Sequence, residues 1–170
     1  MKIKHLSSVL AGVAIACMGS PAWSQSAEVQ SVTIKCDTNS QLPKTLATSQ
    51  NGQEFTIFNW QDAVLPDYLN SAQLCQEVSQ KLQTYAASGS EFSSFNVYAK
   101  GDSFDVCVEE MIGDCGAVLF SLNQGESLDE SKQILDGVLD ESLKGEKIVS
   151  TDRGVQSYGY RLNLWDMLGF

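Results

Sequence analysis

The 170-residue chain carries 11 basic against 21 acidic residues, a net charge of −10, with one histidine and five cysteines. Such an acid excess excludes the basic footprint that nucleic acid or an anionic lipid surface requires; it suits the solubility of an exported protein. The length allows one domain with its own core.

Lys2 and Lys4 form a basic start, and Val9 to Met18 an apolar stretch too short to span a bilayer. Ala22 and Ser24 supply the small residues of a cleavage site, so residues 1–24 are predicted to be a secretory signal peptide. Its removal takes His5, two basic residues and no acidic ones, leaving a net charge of −12. The run Ala14-Ile15-Ala16-Cys17 offers an alternative, a lipoprotein anchored through Cys17. Past the leader no stretch is long or apolar enough to be transmembrane. Cys36, Cys75, Cys107 and Cys115 remain, and an even number in an exported chain predicts disulfides, with three connectivities open. Cys36–Cys75 and Cys107–Cys115 are favoured, because the second pair flanks a short excursion between two strands.

Residues 25–30 read as a flexible polar arm. Ser31 to Cys36 alternates and is rich in β-branched residues, a first strand. Thr45 to Ser49 and Glu54 to Trp60 flank Asn51-Gly52, a strong hairpin signal. The second of these is apolar on both faces, through Phe55 and Ile57 and through Phe58 and Trp60, as in a central or doubly covered strand. In Asn70 to Ser88, Cys75, Val78, Leu82 and Tyr85 recur at helical spacing. Asn70 and Gln73 form a candidate capping box, and Glu77 and Lys81 a favourable pair on the other face. Phe92 to Ala99 and Ser103 to Glu109 alternate about a Gly101-Asp102 turn, and Cys115 to Leu122 is a further, very apolar strand. Ser127 and Glu130 box the start of a second helix carrying Leu128, Ser131, Ile134, Leu135, Val138 and Leu139 on one face, with Lys144-Gly145 as its close. A strand over Gln156 to Tyr160 and a short helical ending, residues 163–170, complete residues 31–170 as a single domain. Strands and helices do not alternate as in βαβ units, so an α+β fold is expected: a mostly antiparallel sheet, two main helices packed on it, and disulfide stabilisation.

With His5 gone, no Ser–His–Asp triad, Cys–His pair or histidine metal site can be built, and no CxxC or Gly-rich phosphate loop is present. No catalytic, cofactor-binding or metal-ligating residue is therefore assigned. Asp105, Glu109, Glu110 and Asp114 crowd the Cys107–Cys115 excursion. Two of them could serve as the acid and nucleophile of a glycosidase, or several could hold calcium. The reading preferred is a solvated rim, because Asp105 and Glu109 follow the outward face of their strand and no calcium-loop pattern is present. Tyr158, Tyr160, Trp165 and Phe170 could form a sugar-stacking or membrane-docking patch, but with Trp60 they are expected in the core; an exposed terminal cluster with Trp165 and Phe170 is the candidate for partner contact.

The ordered set of four cysteines, the strand ending in Trp60, the helix run Cys75-Gln76-Glu77-Val78-Ser79, the strand Phe104-Asp105-Val106-Cys107-Val108 and the run Cys115 to Leu122 together resemble the cyanobacterial circadian-oscillating-protein domain. The resemblance spans about residues 31–139 and implies an exported, peripheral, membrane-associated protein of a photosynthetic bacterium. It implies no reaction, cofactor or catalytic residue. The expected function is a non-catalytic, disulfide-stabilised accessory domain outside the cytoplasm, in periplasm, thylakoid lumen or medium, that binds a protein or a membrane-associated assembly. Its candidate contact residues are Glu109, Glu110, Asp114, Trp165 and Phe170. The alternatives are a carboxylate-dependent hydrolase of envelope polysaccharide and an inhibitor or chaperone-like factor.

Overall fold

A computed structural model describes residues 32–90, 92–111, 113–123, 125–150 and 157–162. The predicted signal peptide with Cys17, the arm 25–30, Ser31, Gln156, and the terminal segment with Trp165 and Phe170 lie outside the described residues.

The first three strands, β1 (Thr33–Asp37), β2 (Lys44–Thr48) and β3 (Glu54–Asn59), form an antiparallel meander. Asn51-Gly52 does make the hairpin, through a loop in which Ser49 N–H donates to Gln53 O at 2.9 Å and Gly52 N–H to Ser49 O at 3.0 Å. Gly52 takes φ +81°, which a side chain would resist. In β3 a bulge leaves Ile57 out of the ladder, since Thr45 faces Phe58 and Leu46 faces Thr56. Successive Ile57 and Phe58 are thereby both fully buried. β3 is thus a covered edge strand rather than a central one.

Helix α1 (Ser71–Ala87) begins where Asn70 accepts from the Gln73 backbone at 2.9 Å. Only half of the expected capping box forms, because the Gln73 amide donates forward to Glu77 at 2.7 Å. The expected Glu77–Lys81 pair does not form either: Lys81 reaches across to the Leu119 carbonyl at 2.6 Å. On the buried side lie Leu74, Cys75, Val78, Ser79 and Leu82. Cys75 is joined to Cys36 of β1, and Gln83 accepts from Ile34 N–H on the same strand. Helix propensity starts α1, but a covalent bond and side-chain bonds to strands fix where it lies.

The other five strands form a second antiparallel sheet: β4 (Ser94–Lys100), β5 (Ser103–Glu109), β6 (Ala117–Leu122), β7 (Lys147–Ser150) and β8 (Ser157–Arg161), in the order β6-β5-β4-β8-β7. The α+β, antiparallel class is as expected, but the strands divide between two sheets. β7 has no signal in the sequence, because four residues with one Ile-Val pair are too short to show a period. α1 packs on β1, β2 and β6 and so spans both sheets, while α2 (Leu128–Val138) packs on β3, β4, β5 and β8. The capping box of Ser127 and Glu130 is complete. α2 ends at Val138, earlier than Lys144-Gly145. Leu139 turns extended and bridges to Phe58, Asp140 N–H donates to Ile57 O at 3.0 Å, and Asp140 then caps a 3-10 turn, Glu141–Leu143. The open edge of β3 captures the chain before the helix can continue.

The apolar face of the second sheet carries Phe95, Val97, Val106, Val108, Phe120, Leu122, Tyr158 and Tyr160, all buried. Phe58 contacts Trp60 and Phe95 at 5.1 and 5.0 Å, and Trp60 meets Phe120 at 5.7 Å, so one aromatic chain joins the two sheets. The opposite face of β4 and β5 is polar, with Ser94, Asn96, Asp105 and Glu109.

Candidate functional site

The turn from β5 to β6 is closed by Cys107–Cys115, whose Cα atoms are 5.4 Å apart across only eight residues of chain. Gly116 N–H donates to Val108 O at 3.0 Å and Asp114 N–H to Met111 O at 3.2 Å, with Gly113 at φ +96°. Glu110 and Asp114 are exposed, as expected, and between them Met111 stands 69% exposed. Behind the turn, Tyr85 of α1 stacks on Phe92 at 5.5 Å. Gly116 leaves the space for it, since a Cβ there would sit 2.5 Å from the Tyr85 hydroxyl. Burial first, then the charges of Glu110, Asp114 and Glu109, hold the Tyr85 pKa above the ordinary tyrosine value.

Glu109 and Asp105 depart from the solvated rim expected of them. Glu109 is 0% exposed. Ser94 Oγ donates to its Oε2 at 2.5 Å and Asn96 Nδ2 donates to the same oxygen, while Oε1 has no hydrogen-bond partner. Burial pushes the Glu109 carboxyl above the usual carboxylate range, and Asp114 adds to this, against the lowering effect of the Ser94, Asn96 and Gly113 donors. Asp105, 5% exposed, accepts from Ser121 at 2.6 Å and pairs with Lys100 at 3.2 Å. Polar alternation along β5 reads as exposure only while the donors on β4 and β6 are out of view.

Glu109, Glu110 and Asp114 are therefore brought to one turn, with Glu109 beneath it and the other two on it. Asp105 lies four residues back along an unbulged strand, roughly 13 Å away by strand rise. That exceeds the separations at which paired carboxyls cleave glycosides, about 5 to 9.5 Å. Among the described residues no group of three or more His, Cys, Asp or Glu gathers as for a metal ion.

A second polar region went unread in the sequence. A groove of about 580 Å³ is lined by Gln133, Asp136, Glu141, Lys144, Lys147 and Tyr160, among others. Tyr158 donates to Asp136 at 3.0 Å and its hydroxyl is 3.0 Å from that of Tyr160, while Lys147 stands 5.9 and 5.7 Å over the two rings. Tyr158 and Tyr160 are core residues, as expected, at 7% and 3% exposure. Burial holds the Tyr160 hydroxyl well above the ordinary tyrosine value. No spacing signals this set, because α2 and the last two strands meet only in the fold.

A sequence model of the family described as Circadian oscillating protein COP23 matches residues 33–168. The chain belongs to this family. The COP23 match takes in both disulfides, both helices and every strand described above. No curated protein and no solved structure matches the chain. The two disulfides mark a protein that folds outside the reducing cytosol. No described helix is long and apolar enough to cross a membrane.

Proposed function

We propose that this COP23-family chain is a non-catalytic binding domain and that the disulfide-closed turn is its contact surface. The observation that carries this is Met111, 69% exposed between the exposed Glu110 and Asp114, on a turn held by a covalent bond. A rigid turn loses little conformational entropy on docking. An apolar tip flanked by acids suits a partner with an apolar pocket ringed by basic residues. The wide separation of Asp105 and Glu109 along β5, roughly 13 Å by strand rise, speaks for binding rather than for the carboxylate hydrolase.

The reading extends to a cyanobacterial, membrane-associated protein released after Ser24, with anchoring through Cys17 as the alternative. Intact mass of the protein from soluble and membrane fractions separates the two: a chain starting at Gln25 supports release, a lipid-bearing Cys17 supports the anchor. The contact surface is tested by incubating immobilised wild type and the double variant Glu110→Lys, Asp114→Lys with detergent-solubilised envelope. A set of proteins retained by wild type and lost from the variant supports the turn. Identical retention by both would move the contact surface elsewhere.

A further inference from the structure

Glu109 closes β5 and is the last ladder residue before the turn. Its main chain is held by Ser93, the residue just ahead of β4: the Glu109 carbonyl accepts from Ser93 N–H and Ser93 Oγ, both at 2.8 Å. Its side chain sits in a row with its cross-strand neighbours Ser94 and, beyond it, Arg161. Arg161 is turned to Glu146 at 3.4 Å and does not neutralise it. Lys100, the cation of β4, is committed to Asp105. The other charges bearing on this end of the sheet are acidic, Asp114 and Glu110 of the turn, and α1 contributes only the phenol of Tyr85. Among the described residues, a fully buried carboxyl thus has only neutral donors, Ser94 and Asn96 on one oxygen with the Gly113 backbone N–H of the turn acting in the same sense, a second oxygen outside hydrogen-bond geometry, and no cation. A charge in such a position costs more than these neutral hydrogen bonds return.

We propose that Glu109 is a proton-controlled latch at the end of the β4–β5 ladder: the folded domain carries it as the neutral acid, and its ionisation loosens the ladder that anchors the contact turn. The role of the turn rests on the binding function proposed above; the latch itself does not. Desolvation of the carboxyl acts in the same direction. The consequence is a contact surface that is firmest in mildly acidic surroundings and loosens as pH rises.

The test is a side-chain carboxyl carbon NMR titration of Glu109 between pH 4 and 8, with amide hydrogen exchange at Ser93 and Gly116 over the same range, corrected for intrinsic exchange. The expected midpoint lies above the ordinary glutamate value of about 4.3. Protection at Ser93 should fall by up to about tenfold per pH unit between the ordinary glutamate value and that midpoint in wild type, level off above the midpoint, and stay flat in Glu109→Gln. A midpoint at or below the ordinary value, or protection that does not fall between the ordinary value and the midpoint, overturns the latch. If Glu109→Gln does not fold, Ser94→Ala takes its place: losing a donor to the carboxylate should raise the midpoint further, and an unmoved midpoint also overturns the proposal. No partner is used, so failure of the envelope capture and failure of the latch are separate results.

Discussion

Two buried polar clusters in this domain share a geometry and differ in chemistry. In the first, Trp60 Nε1 and Ser79 Oγ both donate to Thr45 Oγ1 at 3.0 Å, which ties α1, β2 and the end of β3 together. In the second, Ser94 Oγ and Asn96 Nδ2 both donate to Glu109 Oε2. Each places two donors on one oxygen with no exposed atom to spare. The Thr45 acceptor is neutral, so its cluster is indifferent to pH. Glu109 brings a second oxygen without a partner and a charge when it loses its proton. The Asn96 side-chain Oδ1 and the Tyr98 hydroxyl, on the same sheet face, are also buried without partners. One cluster glues elements together; the other holds them conditionally.

The largest expected effect concerns the covalent frame around the clusters. Breaking Cys36–Cys75 by Cys36→Ser with Cys75→Ser should cost about 4 kcal/mol, and breaking Cys107–Cys115 in the same way about 2.5 kcal/mol, since the second loop is shorter. Urea melts of the two double variants would show the order, and a costlier short loop would mean that the turn carries more than chain entropy.

Thr45→Val keeps the shape and leaves the Trp60 and Ser79 donors stranded in a dry site. A loss of about 1–3 kcal/mol is expected, equal at pH 5 and pH 8. Any pH dependence of that loss would erase the contrast between the clusters.

Glu109→Gln should act in the opposite sense. The folded carboxyl lies above its ordinary value, so its contribution is complete below about pH 4.3 and is lost as pH rises through the folded value. Relative to wild type, the variant should gain stability from pH 5 to pH 8, read as a flatter curve of melting midpoint against pH. A steeper curve would place the titrating group elsewhere. The smallest effect on stability belongs to Met111→Ser on the exposed turn, within about 0.5 kcal/mol of wild type. Its effect should appear in envelope capture alone, and unchanged capture would remove Met111 from the contact.

Gly159 shows how tightly the Glu109 cluster is built. It pairs with Asn96, and a Cβ there would lie 1.7 Å from Asn96 Oδ1 and 2.1 Å from Phe95 O, so glycine leaves the room in which Asn96 lays its Oδ1 over β8 while its Nδ2 donates to Glu109 on the other side. Nothing in the local sequence of β8 announces this, because the atom that needs the space belongs to a strand sixty residues earlier.

The sequence by itself determined the helix with its Cys75–Val78–Leu82 stripe, the complete capping box at Ser127, the hairpin at Asn51-Gly52, the antiparallel α+β class and the favoured cysteine pairs. These depend on period, turn chemistry and contacts between neighbours in the chain. Only the tertiary structure decided that β3 lies at a sheet edge that captures Leu139, that Lys81 leaves Glu77 for the Leu119 carbonyl, and that Glu109 is buried while Glu110 is exposed. In each case a single side chain or strand edge chooses between water and a partner distant in sequence. That choice turns on burial, which a linear pattern of polar and apolar residues does not contain.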